Sequence, residues 1–146
     1  MAWNEIRHRA RLIRQYDPVP PVWTTDARLG QVFLNLLINA AQAIEIGHVE
    51  SNQIRLFTGT DEQGRAVVEI ADTGVGISTE NLNRIFAPFF TTKPPGSGTG
   101  LGLSISLRIV KEMGGAIELS SEPGRGTVAR VYLPAAAGSR PGNSGH

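Results

Sequence analysis

Between Ala27 and Ile46 the apolar residues Val32, Phe33, Leu36, Leu37, Ala40 and Ile44 recur every three or four positions, the spacing that collects them on one face of a helix. Thr25 or Asp26 supplies a side-chain oxygen for the first turn, and Gly47 follows as a stop. The same period at Leu101, Ile105, Ile109 and Met113, ahead of Gly114-Gly115, predicts a second helix over 101–113. Trp3, Ile6, Ala10 and Ile13 predict an amphipathic helix from Ala2 to Tyr16, ended by Asp17-Pro18-Val19-Pro20-Pro21, with a short extended piece over 22–24. Gln53 to Thr58 and Ala66 to Ala71 read as strands joined by the turn Thr60 to Gly64, a hairpin. Ala116 to Ser121 and Thr127 to Leu133 form a second strand pair around Glu122-Pro123-Gly124-Arg125-Gly126. Thr79 to Phe86 is a short helix opened by Ser78 or Thr79, and Ala87 to Gly100 is a loop long enough to be a lid or binding segment. The small, glycine-rich stretch 135–146 reads as a disordered tail. Helices and antiparallel pairs without regular strand-helix-strand alternation point to an α+β two-layer sandwich: one mixed, mostly antiparallel sheet, covered on one face by helices.

Composition narrows the function. With 146 residues, 40% of them hydrophobic, the chain suits one globular domain with a core. The net charge is +1 and the arginines are scattered, so no nucleic-acid partner is expected. Absence of cysteine excludes disulfides, thiolate metal sites and a thiol nucleophile. No apolar run approaches the roughly 20 residues of a membrane span, which places the chain in the cytoplasm, alone or as the cytoplasmic part of a membrane-anchored parent.

Three stretches carry candidate chemistry. Gly96-Ser97-Gly98-Thr99-Gly100-Leu101-Gly102-Leu103 lacks the lysine of a P-loop and the spacing of a dinucleotide fingerprint. It nevertheless offers glycine amides and a helix N-terminus, the means of holding an anion. Asp72-Thr73-Gly74-Val75-Gly76-Ile77 puts a carboxylate at a strand end beside backbone that a planar ligand can approach. Gln31, Asn35, Asn39 and Gln42 share the polar face of the long helix, and amide oxygens are neutral, hard ligands that magnesium accepts when phosphates complete its shell.

In chain order these are an amide-bearing helix, a strand ending in Asp-x-Gly-x-Gly, the run Phe86-Ala87-Pro88-Phe89-Phe90, and a glycine loop opening a helix. This order resembles the N, G1, F and G2 boxes of the ATP-binding catalytic domain of two-component sensor histidine kinases, over about Asp26 to Pro134. That family shares the Bergerat ATP-binding fold with DNA gyrase, the heat-shock chaperone ATPases and MutL. The resemblance implies ATP and Mg2+ as cofactors. Asn39 would coordinate the magnesium, with Asn35 on the phosphate side, and these two are the implied catalytic residues. Asp72 would accept from the adenine amino group, Gly74, Gly76 and Ile77 would shape the adenine pocket, and Thr127 would support it directly or through water. Phe86, Phe89 and Phe90 would anchor the lid, Lys93 beside Thr91 and Thr92 would reach a phosphate, and Gly98, Thr99, Gly100, Leu101, Gly102 and Leu103 would close over the nucleotide.

Gln42 and Ala129 depart from the family pattern, where a basic residue and an aromatic respectively are frequent. None of His8, His48 and His146 is followed by an acidic residue as a phosphoacceptor histidine is, so the acceptor is expected on a separate dimerisation domain. Residues 1–16 would then be the end of that domain's helix or a linker helix, ahead of a catalytic domain over 17–134. The implied partners are this phosphoacceptor domain, a response-regulator receiver domain and, in the full-length protein, a second copy. Two related activities compete: a serine kinase of the anti-sigma type, and an ATP-gated conformational ATPase, for which Glu45 lies more than a turn beyond Asn39.

Overall fold

The computed structural model describes residues 6–22, 26–82, 84 and 102–136. One sheet is built from β1 (Arg11–Tyr16), β2 (Gln53–Thr60), β3 (Ala66–Asp72), β4 (Ala116–Glu122) and β5 (Gly126–Leu133), in the spatial order β1-β2-β3-β5-β4. β1 runs parallel to β2 and the other pairings are antiparallel, so both expected hairpins are present within a mixed sheet. Helices α1 (Asp26–Gln42) and α3 (Gly102–Glu112) pack on each other and on the sheet, and α2 (Thr79–Leu82) is a single turn.

Alternation along the strands separates the two faces. Ile54, Val68, Ile70, Ile117, Ala129, Val131 and Leu133 are buried towards Val32, Leu36, Ala40, Ala41 and Ile44 of α1 and Ile109 and Val110 of α3. Burying each large aliphatic side chain contributes about 1.5–3 kcal/mol, whereas the exposed Arg28–Glu112 pair linking the two helices contributes at most about 1 kcal/mol. Apolar burial therefore holds the layers together. The outer face carries an ion pair: Arg130 Nε donates to Glu69 Oε2 at 2.6 Å, directly across the β3–β5 ladder. Nearby, the Arg65 guanidinium sits 4.5 Å from the centre of the Tyr132 ring.

Two expectations are corrected. The helix expected from Ala2 to Tyr16 does not extend through Arg11–Tyr16, which is β1, the parallel edge partner of β2. Among the described residues of that stretch, a turn at Ile6 is helical, with Ala10 N–H donating to Ile6 O at 3.0 Å. The apolar period fits because Ile6 and Ala10 are both almost fully buried. Beyond them, the unpaired edge of β2 takes the backbone groups, and Pro18 disfavours helix in the residue before it. The folded unit thus includes residues ahead of Asp17.

The second correction is that α1 ends at Gln42 and does not reach Ile46. The two residues that follow it bond elsewhere in the fold: Ala43 O accepts from Val75 N–H at 2.9 Å, and Ile44 O from Arg9 Nη1 at 2.8 Å. Arg9 also reaches Ala41 O at 3.4 Å, and Gly47 N–H donates to His8 O at 3.1 Å. The entry turn is in this way fastened to the end of α1. Arg9→Ala should lower stability by about 1–2 kcal/mol in urea unfolding, with partial recovery in Arg9→Lys. An unchanged midpoint would show that water caps these carbonyls equally well.

Candidate functional site

At one end of the sheet the core face turns from apolar to polar within a single row. Ile54 of β2 pairs with Asp72 of β3, Asp72 with Thr127 of β5, and Thr127 with Ser121 of β4. Paired residues share a face, so the four side chains lie side by side across the sheet. Ile54 is fully buried and the others are half-buried.

Burial dominates the behaviour of Asp72. Removing its carboxyl from water raises the pKa from 3.8 to about 6, although the backbone N–H groups of Gly74 and Thr127 favour the ionised form. Gly74 N–H donates to Asp72 Oδ1 at 2.8 Å, folding the loop after β3 back on the carboxylate. Such a group, acceptor-only when ionised and desolvated beside an aliphatic wall, suits a flat ligand carrying an amino group.

The loop after Asp72 is wedged between α1 and the β4–β5 turn. A Cβ on Gly74 would stand 2.4 Å from Ala43 O, and one on Gly76, whose φ is +77°, 2.1 Å from Glu122 O. Only glycine allows both approaches. Val75 closes the wedge, donating to Ala43 O at 2.9 Å and accepting from Gly124 N–H at 2.8 Å. Ile77 N–H donates to Ser121 Oγ at 2.7 Å.

Asn35, Asn39 and Ala43 succeed one another at four-residue intervals on one side of α1. At one end of this line Asn35 Nδ2 donates to Ser106 Oγ of α3 at 3.3 Å, and at the other Ala43 O holds the Asp72 loop. Asn39, half-buried, stands between Asn35 and Ala43 in the chain's four-residue spacing. Ser106 is fully buried, one turn after Gly102, the first residue of α3. Leu103 is partly buried and packs on the core. Phe86, Phe89, Phe90, Thr91, Thr92, Lys93, Gly98, Thr99, Gly100 and Leu101 lie outside the described residues.

Among the described residues no group of three or more His, Asp or Glu side chains is placed to hold a metal ion. An amide oxygen, such as Asn39 carries, is a neutral, hard donor of the kind magnesium accepts when polyphosphate oxygens complete its shell. Glu45 is exposed and lies beyond the end of α1. His8 and His48 both line an open cleft with Ile46, Gly47 and Glu50.

Ser121 and Ser106 are not foreseen from the sequence. Ser121 is legible in principle, because a turn over Glu122 to Gly126 sets it opposite Thr127. Ser106 leaves no such trace, since its partner is 71 residues away.

Residues 24–137 match the family of histidine kinase-, DNA gyrase B- and HSP90-like ATPases, and the chain belongs to that family. Within it, the relatives place the chain among the ATP-binding catalytic domains of sensor histidine kinases. The sensor kinase CckA of Brucella abortus (strain 2308) is 40% identical over 77% of this chain and 13% of its own length. The sensor histidine kinase ZraS of Escherichia coli K12 is 38% identical over 81% of this chain and 24% of its own length. Among solved structures, the mycobacterial sensor histidine kinase MprB superposes with a TM-score of 0.78 at 26% identity, over 91% of this chain and 88% of that chain. Full-length ShkA in complex with AMPPNP gives 0.70 at 30% identity, over 90% of this chain and 27% of that one. The chain thus spans a minor part of the curated relatives it matches. Among the described residues no helix is long and apolar enough to cross a membrane.

Proposed function

We propose that this chain is the nucleotide-binding part of a sensor histidine kinase: it binds ATP with magnesium and presents the γ-phosphoryl group to a histidine on a separate phosphoacceptor domain. The observation that carries this reading is the half-buried carboxylate of Asp72, set between Ile54 and Thr127 in the Ile54–Asp72–Thr127–Ser121 row, with pKa about 6. Bound MgATP supplies the transferable group and the cation that neutralises its charge. Asp72 accepts from the adenine 6-amino group, and the wedged Gly74–Gly76 backbone sets the pocket wall. Asn39 offers its amide oxygen to the cation. The N-terminus of α3, tied to α1 through Asn35 and Ser106, gives its positive end to the phosphates. The chain contributes orientation and charge compensation and no nucleophile. The acceptor imidazole and dimerisation would belong to a longer parent protein, and the receiver domain of a separate response regulator would take the phosphoryl group onward.

Calorimetric titration separates the parts of this proposal. Asn39→Ala should weaken MgATP binding about tenfold to a hundredfold and leave magnesium-free ATP nearly unaffected, because only the metal contact is removed. Equal losses with and without magnesium would overturn the metal role. Incubation with labelled ATP and phosphoacceptor domains should give acid-labile phosphohistidine; acid-stable phosphoserine would identify the anti-sigma type of kinase. Turnover abolished by Glu45→Gln would identify the conformational ATPase.

A further inference from the structure

We infer that Ser121 is a specificity-determining positioning residue, which directs the Thr127 hydroxyl proton out of the pocket so that the row accepts a 6-amino purine and disfavours a 6-oxo purine. It presupposes the ATP-binding function proposed above. A serine hydroxyl has one proton and two lone pairs, and three neighbours occupy all of them. Gly126 O, 2.9 Å from Ser121 Oγ, can only accept, so it takes the proton. Ile77 N–H, at 2.7 Å, can only donate, so it takes one lone pair. The remaining contact, to Thr127 Oγ1 at 2.8 Å, then finds only a lone pair on Ser121. Thr127 must be its donor.

The consequence falls on the pocket side of Thr127. With its proton committed to Ser121, Thr127 Oγ1 has only lone pairs to offer, and its neighbour across the β3–β5 ladder, the Asp72 carboxylate, is likewise acceptor-only when ionised. Two adjacent acceptors match an exocyclic amine with two N–H groups, directly or through a water molecule. A 6-oxo purine turns an acceptor towards acceptors and leaves them unsatisfied, which is discrimination by repulsion. Because Ser121, Thr127 and Asp72 stand on three paired strands, the arrangement is built into rigid backbone rather than into a loop.

The test is binding of MgATP and MgITP to the whole chain, as a ratio of dissociation constants. The unaltered protein should prefer ATP. In Ser121→Ala the Thr127 hydroxyl is released and can donate to a 6-oxo group, so the ratio should narrow about five- to tenfold, the size of one hydrogen bond. Ser121→Thr, which keeps the hydroxyl, should restore it. Thr127→Val, nearly the same shape without the hydroxyl, should weaken ATP and leave ITP unchanged; it decides the matter if Ser121→Ala does not fold. Equal weakening of both nucleotides in Ser121→Ala, or an unchanged ratio in Thr127→Val, would overturn the inference while leaving ATP binding intact. Failure of the unaltered chain to bind ATP would instead overturn the proposed function.

Discussion

Asp72→Asn is expected to make the nucleotide-free protein more stable while weakening ATP binding at least a hundredfold. Holding the carboxylate ionised in its half-buried place costs, at neutral pH, up to about 3 kcal/mol, from a pKa raised from 3.8 to about 6 at 1.36 kcal/mol per unit. Asparagine removes that cost and can still accept from Gly74 N–H. Its amide nitrogen must then face the Thr127 N–H, which reduces the gain to about 1–2 kcal/mol, or several degrees in Tm for a chain of this size. An amide that presents N–H to the adenine amino group also loses the acceptor the ligand needs. Thermal melting and calorimetry on the same samples test both halves, and a variant that is less stable than the parent would refute the cost assigned to the buried charge.

The pH dependence has a definite sign. A folded-state pKa above the unfolded value means that this group favours folding most below about pH 4, and that its contribution is lost as pH rises through about 6. The stability difference between Asp72→Asn and the unaltered chain should therefore grow over that window and be level above it. Adenine recognition runs oppositely: affinity should fall as pH drops below about 6, up to tenfold per unit, beyond the loss shown by Asp72→Asn, which reports the titration of the phosphates alone.

Gly126→Ala should be the most damaging small substitution at the site. Gly126 has a φ of +120°, and a Cβ there would lie 1.9 Å from Asp72 O and 3.0 Å from Thr73 Cα. These are backbone atoms of the last residue of β3 and the residue after it, which cannot rotate aside, so β3 and β5 must separate where Asp72 and Thr127 pair. A loss above about 3 kcal/mol is expected, combining backbone strain with a disrupted ladder. Gly124→Ala is the control: its φ is +81° but nothing stands within 4 Å of the added Cβ. Only the left-handed backbone penalty of about 1–2 kcal/mol applies there. Similar urea midpoints for the two variants would show that the sheet end yields more easily than its geometry implies.

Much of this protein is written in local pattern. The apolar period from Val32 to Ala40 locates α1, and that of 105–113 with the glycines at 114–115 locates α3, because a helix must bury one stripe. The runs 53–58 and 66–71 with Gly64 between them locate β2 and β3, because a tight turn returns the chain antiparallel to itself. Asp72, Gly74 and Gly76 are legible because the residue types are demanding: a carboxylate at a strand end and a loop stripped of side chains. What local pattern leaves open is any choice made by a distant partner. RLIRQY is a strand because β2 offers it an edge, although the same letters continue a helical period from Ile6 and Ala10. Helix α1 stops four residues short of Ile46, and the carbonyls of Ala43 and Ile44 just beyond it are taken by Val75 and Arg9. Ser121 gains its place from register, and Ser106 from the packing of α3 on α1. The sequence alone thus determined helices α1 to α3, every described strand but β1, and the candidate chemical groups, since these follow from propensity and periodicity along the chain. Tertiary structure decided where the elements end and which hydroxyls the site uses, since hydrogen bonds between segments far apart in the chain are satisfied only once the layers have packed.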